Sequence, residues 1–177
     1  MTCFREHLLS RNYDPALYVN QTIDDENHLL TVHLYNDDGK LIGYQRYNQN
    51  GIKKNNTPDE AKYMTYTMKG EKAIWGLETL DFRKGELFVV EGLFKASALH
   101  RLGLNAVSIM GNNAKTHKEF LLDTNLHLIA ICDYDMAGIQ MGISVENMGG
   151  EAWILDKDVD EHTTMELQSL MISRGIL

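Results

Sequence analysis

Apolar and polar positions follow two regimes along the chain, and the change comes near residue 81. In the first regime the apolar stretches are short and broken by polar residues. Phe4, Leu8 and Leu9 recur at helical spacing, which predicts a short helix over residues 4–11. Tyr13-Asp14-Pro15 ends it, because a proline drives the residue before it out of the helical region. Residues 28–35 and 40–47 read as two strands joined through Asn36-Asp37-Asp38-Gly39, a strong turn signal. Asn48-Gln49-Asn50-Gly51 repeats that chemistry, the loop over residues 52–60 is polar and lysine-bearing, and residues 62–67 read as a third strand. In the second regime, apolar runs at residues 87–90, 106–110, 127–132 and 151–155 alternate with helical patterns over 93–102, 115–122, 136–148 and 161–173. Continuously apolar strands separated by helices are the mark of a parallel sheet covered on both faces. The expected fold class is therefore α/β. Residues 81–177 should form an open sheet of about four parallel strands flanked by helices, and residues 1–80 a small mixed, mostly antiparallel α+β subdomain before it. A change of pattern marks the boundary, with no Pro/Ser linker, internal repeat or low-complexity run.

That topology gives meaning to the acids. Right-handed crossovers put all the strands' C-terminal ends on one sheet edge, the edge where open α/β sheets bind ligands. Glu91 follows the first parallel strand, Asp133 and Asp135 the third, and Asp156, Asp158 and Asp160 the fourth. In extended backbone, side chains two apart point the same way, so Asp133 with Asp135, and Asp158 with Asp160, are each expected to face one ion. A carboxylate group of this size repels itself unless a cation joins it, and hard oxygen donors select Mg²⁺ or Mn²⁺. A second reading of residues 156–161 is an acidic helix N-terminus favoured by the macrodipole.

Composition and charge narrow the classes further. With 177 residues, 44% hydrophobic and 24% charged, the chain can build an ordinary globular core. No apolar run approaches the roughly 20 residues of a membrane span, and the N-terminus lacks a signal-peptide pattern. Two distant cysteines rule out a disulfide framework and a cysteine zinc ribbon, so a cytoplasmic setting and no zinc are expected. The net charge of −8 conceals an asymmetry. Residues 40–72 carry seven bases and three acids, a balance of +4; residues 119–166 carry eleven acids and one base, a balance of −10. Solvated faces, or a basic nucleic-acid ridge beside an acidic site, both account for that. The seven histidines show no ligand spacing, while Cys132, Trp75, Trp153, Met136, Met141 and Met148 read as packing residues.

Val89-Val90-Glu91-Gly92-Leu93-Phe94 and Asp133-Tyr134-Asp135-Met136-Ala137-Gly138 together resemble the Toprim domain of primases, topoisomerases and some nucleases. Leu41-Ile42-Gly43-Tyr44-Gln45-Arg46 with Ala61-Lys62-Tyr63, the stretch Ile74-Trp75-Gly76-Leu77, Asp158-Val159-Asp160 and Leu8-Leu9-Ser10-Arg11 extend the resemblance to the catalytic core of bacterial and phage-type DNA primases. It implies metal-dependent phosphoryl transfer in DNA replication. Asp133, Asp135, Asp158 and Asp160 would hold one or two Mg²⁺ or Mn²⁺ ions, and Glu91 would be a metal ligand or the general base for a ribose 3′-hydroxyl. Arg46, Lys53, Lys54 and Lys62 would track a single-stranded DNA template, with Tyr44, Tyr47 and Tyr63 available either for base stacking or for packing. Nucleoside triphosphates would be substrates, and a replicative helicase or a separate zinc-binding subunit a partner.

The departures are as specific as the matches. Where such primases carry another aspartate after Glu-Gly, this chain has Lys95, which would weaken one metal site or contact a phosphate. The family's zinc ribbon is missing and the sequence stops at Leu177, as expected of a trimmed phage- or plasmid-encoded core or of a fragment. Three functions remain open: a primase-like nucleotidyltransferase, a Toprim nuclease using water as nucleophile, and a catalytically weak DNA-binding module needing a partner chain. A topoisomerase is excluded, since its tyrosine-bearing gate domain does not fit in 177 residues.

Overall fold

The computed structural model of the chain describes residues 3–53 and 57–177. Its first helix, α1 (Phe4–Ser10), starts at Cys3, whose sulfur accepts a hydrogen bond from the Glu6 N–H while the Glu6 carboxylate accepts from the Cys3 N–H. That reciprocal cap supplies partners for two backbone donors a helix start otherwise leaves open. An antiparallel sheet follows, built of β1 (Gln21–Asp24), β2 (Leu29–Tyr35), β3 (Leu41–Asn48) and β4 (Tyr63–Thr67) in that spatial order. Along β2 every second residue is buried, and Leu30, Val32 and Leu34 form the inner face. On β3, Gln45 and Tyr47 share that face, which sends Arg46 to the opposite one.

The second sheet is parallel throughout: β5 (Glu86–Val90), β6 (Ala106–Ser108), β7 (His127–Cys132) and β8 (Glu151–Ile154), ordered β6-β5-β7-β8. Four helices cover it: α2 (Leu93–His100), α3 (Lys118–Asp123), α4 (Met136–Glu146) and α5 (Thr164–Ser173). Its strands are continuously apolar because both faces are occupied. Phe88, Val90, Ile129, Ile131 and Trp153 pack with Leu99 of α2 and with Leu167 and Met171 of α5. Leu87, Val89, Leu128 and Ala130 pack on the other side with Leu121 of α3 and with Met141 and Val145 of α4. Each such Val, Leu, Ile, Phe or Met side chain contributes about 1.5–3 kcal/mol when taken fully out of water.

Helix α2 is the element common to both sheets, and all eight of its residues are buried. Its Phe94 ring lies 4.9 Å from Tyr47 of β3 and 6.0 Å from Tyr13, both edge-on. Backbone pairing adds a second tie, since Ile74 bridges to Tyr35 of β2 and Trp75 to Ser108 of β6. One apolar cluster thus runs from α1 through both sheets to α5. Trp75, Trp153 and Cys132 are buried as expected, whereas Met136 is 70% exposed and only Met141 of the three methionines lies fully in the core. The reason is its place at the first turn of α4, on the side away from the sheet. Among the described residues, no helix is long and apolar enough to cross a membrane.

Candidate active-site cleft

Strands β5 and β7 lie side by side, with Val90 paired to Ile131, so Glu91 leaves the sheet level with Cys132 and Asp133 follows one residue further on at the same edge. The chain runs from β5 outward to β6 and then crosses back over β5 to β7, and ligands of open α/β sheets bind where the direction reverses in this way. Two glycines make the edge usable. Gly92 has φ 94°, a conformation L side chains rarely adopt, and turns the chain sharply from β5 into α2. At Gly138 a Cβ atom would stand 2.2 Å from the Asp133 carbonyl oxygen, so only glycine lets α4 start this close to the end of β7. Asp135 is the N-cap of α4, and its Oδ1 accepts from the Gly138 N–H at 2.8 Å.

The acids do not stand together as their spacing suggests. Asp133 Oδ1 accepts from the Lys95 ammonium, which also lies 3.4 Å from Asp158 Oδ1. Burial alone would lower the Lys95 pKa; the bond and charge of Asp133, joined by the charge of Asp158, leave it raised. Asp158 and Asp160 face different partners, because residues 159–161 form a 3₁₀ turn with Val159 buried, not extended backbone. Asp160 turns back to Arg11, whose Nη2 donates to its Oδ2 at 2.5 Å. The Arg11 guanidinium also lies 4.3 Å from the centre of the Phe94 ring, a cation–π contact. Burial opposes the charge of Arg11, but Asp160 holds its pKa above the ordinary value. Glu91 is half-buried. Burial first, and then the charges of Asp133, Asp135 and Asp158, push its carboxyl pKa up against the opposing pull of Lys95.

These groups line a cleft of about 790 Å³ between the two sheets. Glu91, Lys95, Asp133 and Asp158 lie on the parallel-sheet wall; Lys53, Lys62, Gln45 and Tyr63 come from the antiparallel side, with Arg11 between them. Of the four bases expected to contact nucleic acid, Lys53 and Lys62 line the cleft and Lys54 lies outside the described residues. Arg46 does not line it; it sits on the far face of β3, donating to the Pro58 carbonyl and to Asp59. Among the tyrosines, Tyr47 is buried, Tyr63 is partly exposed at the cleft, and Tyr44 stacks on Tyr66 of β4 with ring centres 5.8 Å apart. Arg11 and Gln45 lie in stretches that carry the primase resemblance, but nothing in their spacing assigns either side chain to the cleft. Met110 at the cleft rim has a left-handed φ of 52°, a strained conformation of the kind that gathers at functional sites.

A divalent cation fits this edge in part. The donors are hard oxygens, and the Glu91 pKa, raised first by burial and then by the charges of Asp133, Asp135 and Asp158, includes a carboxylate repulsion that a cation would relieve. Yet among the described residues no three Asp, Glu, His or Cys side chains converge closely enough to share an ion, and Lys95 already lies against two of the acids.

No protein-family profile matches the chain, and no curated protein sequence does. Solved structures do. The zinc-binding and RNA polymerase domains of Aquifex aeolicus primase align over 95% of this chain and 55% of theirs, at 18% identity and a TM-score of 0.64. The primase fragment of the bacteriophage T7 primase-helicase covers 89% of this chain and 65% of its own, at 15% identity and a TM-score of 0.59. A DnaG primase catalytic domain bound to single-stranded DNA covers 96% and 58%, at 19% identity and a TM-score of 0.58. The chain thus spans somewhat more than half the length of the structures it matches. An antiparallel sheet followed by a helix-covered parallel sheet is thus a fold this chain shares with the catalytic domains of bacterial and phage DNA primases.

Proposed function

We propose that the chain is a primase-like nucleotidyltransferase core that joins ribonucleotides on a single-stranded DNA template. One juxtaposition carries this reading: a single cleft has Glu91, Asp133 and Asp158 on one wall and Lys53 and Lys62 on the other. The two lysines would track template phosphates, and the Tyr63 ring would offer a stacking face to a base. Arg11, steered into the cleft by Asp160 and Phe94, would hold a nucleoside triphosphate oxygen. Glu91 has a carboxyl more basic than usual, which suits it to take the proton from the attacking 3′-hydroxyl. Asp133 with Asp135 would hold Mg²⁺ or Mn²⁺, nucleotide phosphates supplying further oxygens, and the ion's chemistry would be to neutralise charge developing on the transferred phosphoryl group. A replicative helicase, or a subunit bearing a zinc-binding module, would deliver the template, in the cytoplasm of a bacterial host.

The deciding experiment incubates the chain with single-stranded DNA, labelled ribonucleotides and Mg²⁺ or Mn²⁺. Extended ribonucleotide product supports the proposal; shortened DNA identifies a nuclease. Absence of both outcomes, with DNA binding intact, identifies an accessory module, the reading favoured by Lys95 lying against two of the acids.

A further inference from the structure

We propose that Lys95 is a tethered cation, taking between Asp133 and Asp158 the place a second divalent ion would need and limiting the acidic edge to one ion at most. The inference rests on the reading of that edge as a metal-binding one and assigns its stoichiometry.

Four observations carry it. The ammonium contacts Asp133 and lies 3.4 Å from Asp158, so it sits where an ion bridging the ends of β7 and β8 would sit. Its side chain is only 11% exposed, against 31% for Asp133 and 49% for Asp158. The lysine projects from α2, which is buried along its whole length, so the stem cannot swing clear without disturbing the packing between the sheets. It also stands in the first turn of α2 and lines the same cleft as Glu91, so the charge is delivered to the acids and not to the outer surface. The four acids Glu91, Asp133, Asp135 and Asp158 with one ammonium leave three negative charges. That is enough to hold one divalent ion, and a second would face an ammonium across the same two carboxylates. A pair serving only to pin α2 to β7 would explain the Asp133 contact, but not the cleft-lining position or the approach to Asp158.

The test measures Mn²⁺ binding to the full chain without nucleic acid, by calorimetry and by the resonance signal of free Mn²⁺, in wild type, Lys95→Met and Lys95→Arg. Methionine keeps the stem length and removes the charge. Lys95→Met should gain one Mn²⁺ per chain over wild type, or bind roughly 10–100-fold more tightly. Lys95→Arg should match wild type. Equal stoichiometry and affinity in Lys95→Met and wild type overturns the proposal, as does a gain in Lys95→Arg. Lys95→Gln keeps the proposal open to refutation should Lys95→Met fail to fold: it too removes the charge and should gain one Mn²⁺ per chain, and wild-type binding in it overturns the proposal. These readouts involve no synthesis, so the Mn²⁺ pattern can hold while the RNA-synthesis assay fails, and the reverse.

Discussion

Arg11→Met tests how the cleft is held open at its acidic end. Arginine and methionine stems are similar, so apolar contact with Phe94 is largely kept while the guanidinium goes. Asp160 is then stranded: its side chain is only 10% exposed, and its partner at 2.5 Å is gone. Removing one member of a fully buried ion pair costs ~3–5 kcal/mol; Arg11 is 28% exposed, which places this pair nearer about 2–3 kcal/mol. Loss of the cation–π contact at 4.3 Å adds about 0.5–1 kcal/mol. Urea unfolding of wild type, Arg11→Met, Asp160→Asn and the double variant closes a thermodynamic cycle. The expected result is a loss of about 3 kcal/mol in Arg11→Met, of which Asp160→Asn restores about 1–2 kcal/mol by removing the unpaired charge. A loss below about 1 kcal/mol, or strictly additive variants, would refute the idea that this pair is a desolvated tie between α1 and the turn after β8.

Three further outcomes are expected. His100 is buried, with its ring nitrogens bonded to the Tyr18 hydroxyl, the Thr79 hydroxyl and the Ala106 carbonyl, and burial drives its pKa down to about 4. Its folded pKa lies below the unfolded value, so the stability it contributes, up to about 3 kcal/mol, is complete above pH ~6.5 and is lost as pH falls towards 4. Imidazole shift titration should show this ring still neutral at pH 5; charging above pH 6 would sink the claim. Gly138→Ala should cost about 1–3 kcal/mol by thermal melting, because its Cβ collides with the Asp133 backbone, and a neutral result would mean that α4 does not begin where described. Lys53→Ala with Lys62→Ala should weaken binding of single-stranded DNA, lowering the salt slope by about 1.4 at roughly 0.7 per phosphate contact, whereas Arg46→Ala should leave that slope unchanged. Fluorescence anisotropy across a salt series separates the two variants.

Much of the parallel sheet was legible because burial on both faces leaves a one-dimensional signature. Leu87-Phe88-Val89-Val90 and Leu128-Ile129-Ala130-Ile131-Cys132 are uninterrupted because their alternate residues pack on α2 and α5 on one side and on α3 and α4 on the other. Strand β1 left no such signature. Gln21-Thr22-Ile23-Asp24 has one apolar residue and exists because the edge of β2 offers it a hydrogen-bonding partner. Arg46 is a related case. Strand period separates it from Gln45 and Tyr47, but aromatic residues occur on both faces of β3, so nothing local says which face meets α2.

By itself, then, the sequence determined that acids end successive buried strands, because apolar runs and their stops are local patterns, and right-handed crossovers bring those stops to one edge. Which acid meets which cation was decided only by tertiary structure. A 3₁₀ turn parts Asp158 from Asp160, Arg11 reaches Asp160 across 149 residues, and the buried helix α2 presents Lys95 to Asp133. The physical reason is that charge pairing depends on separations of a few ångströms, and those are set by how α1, α2 and the turn after β8 pack together.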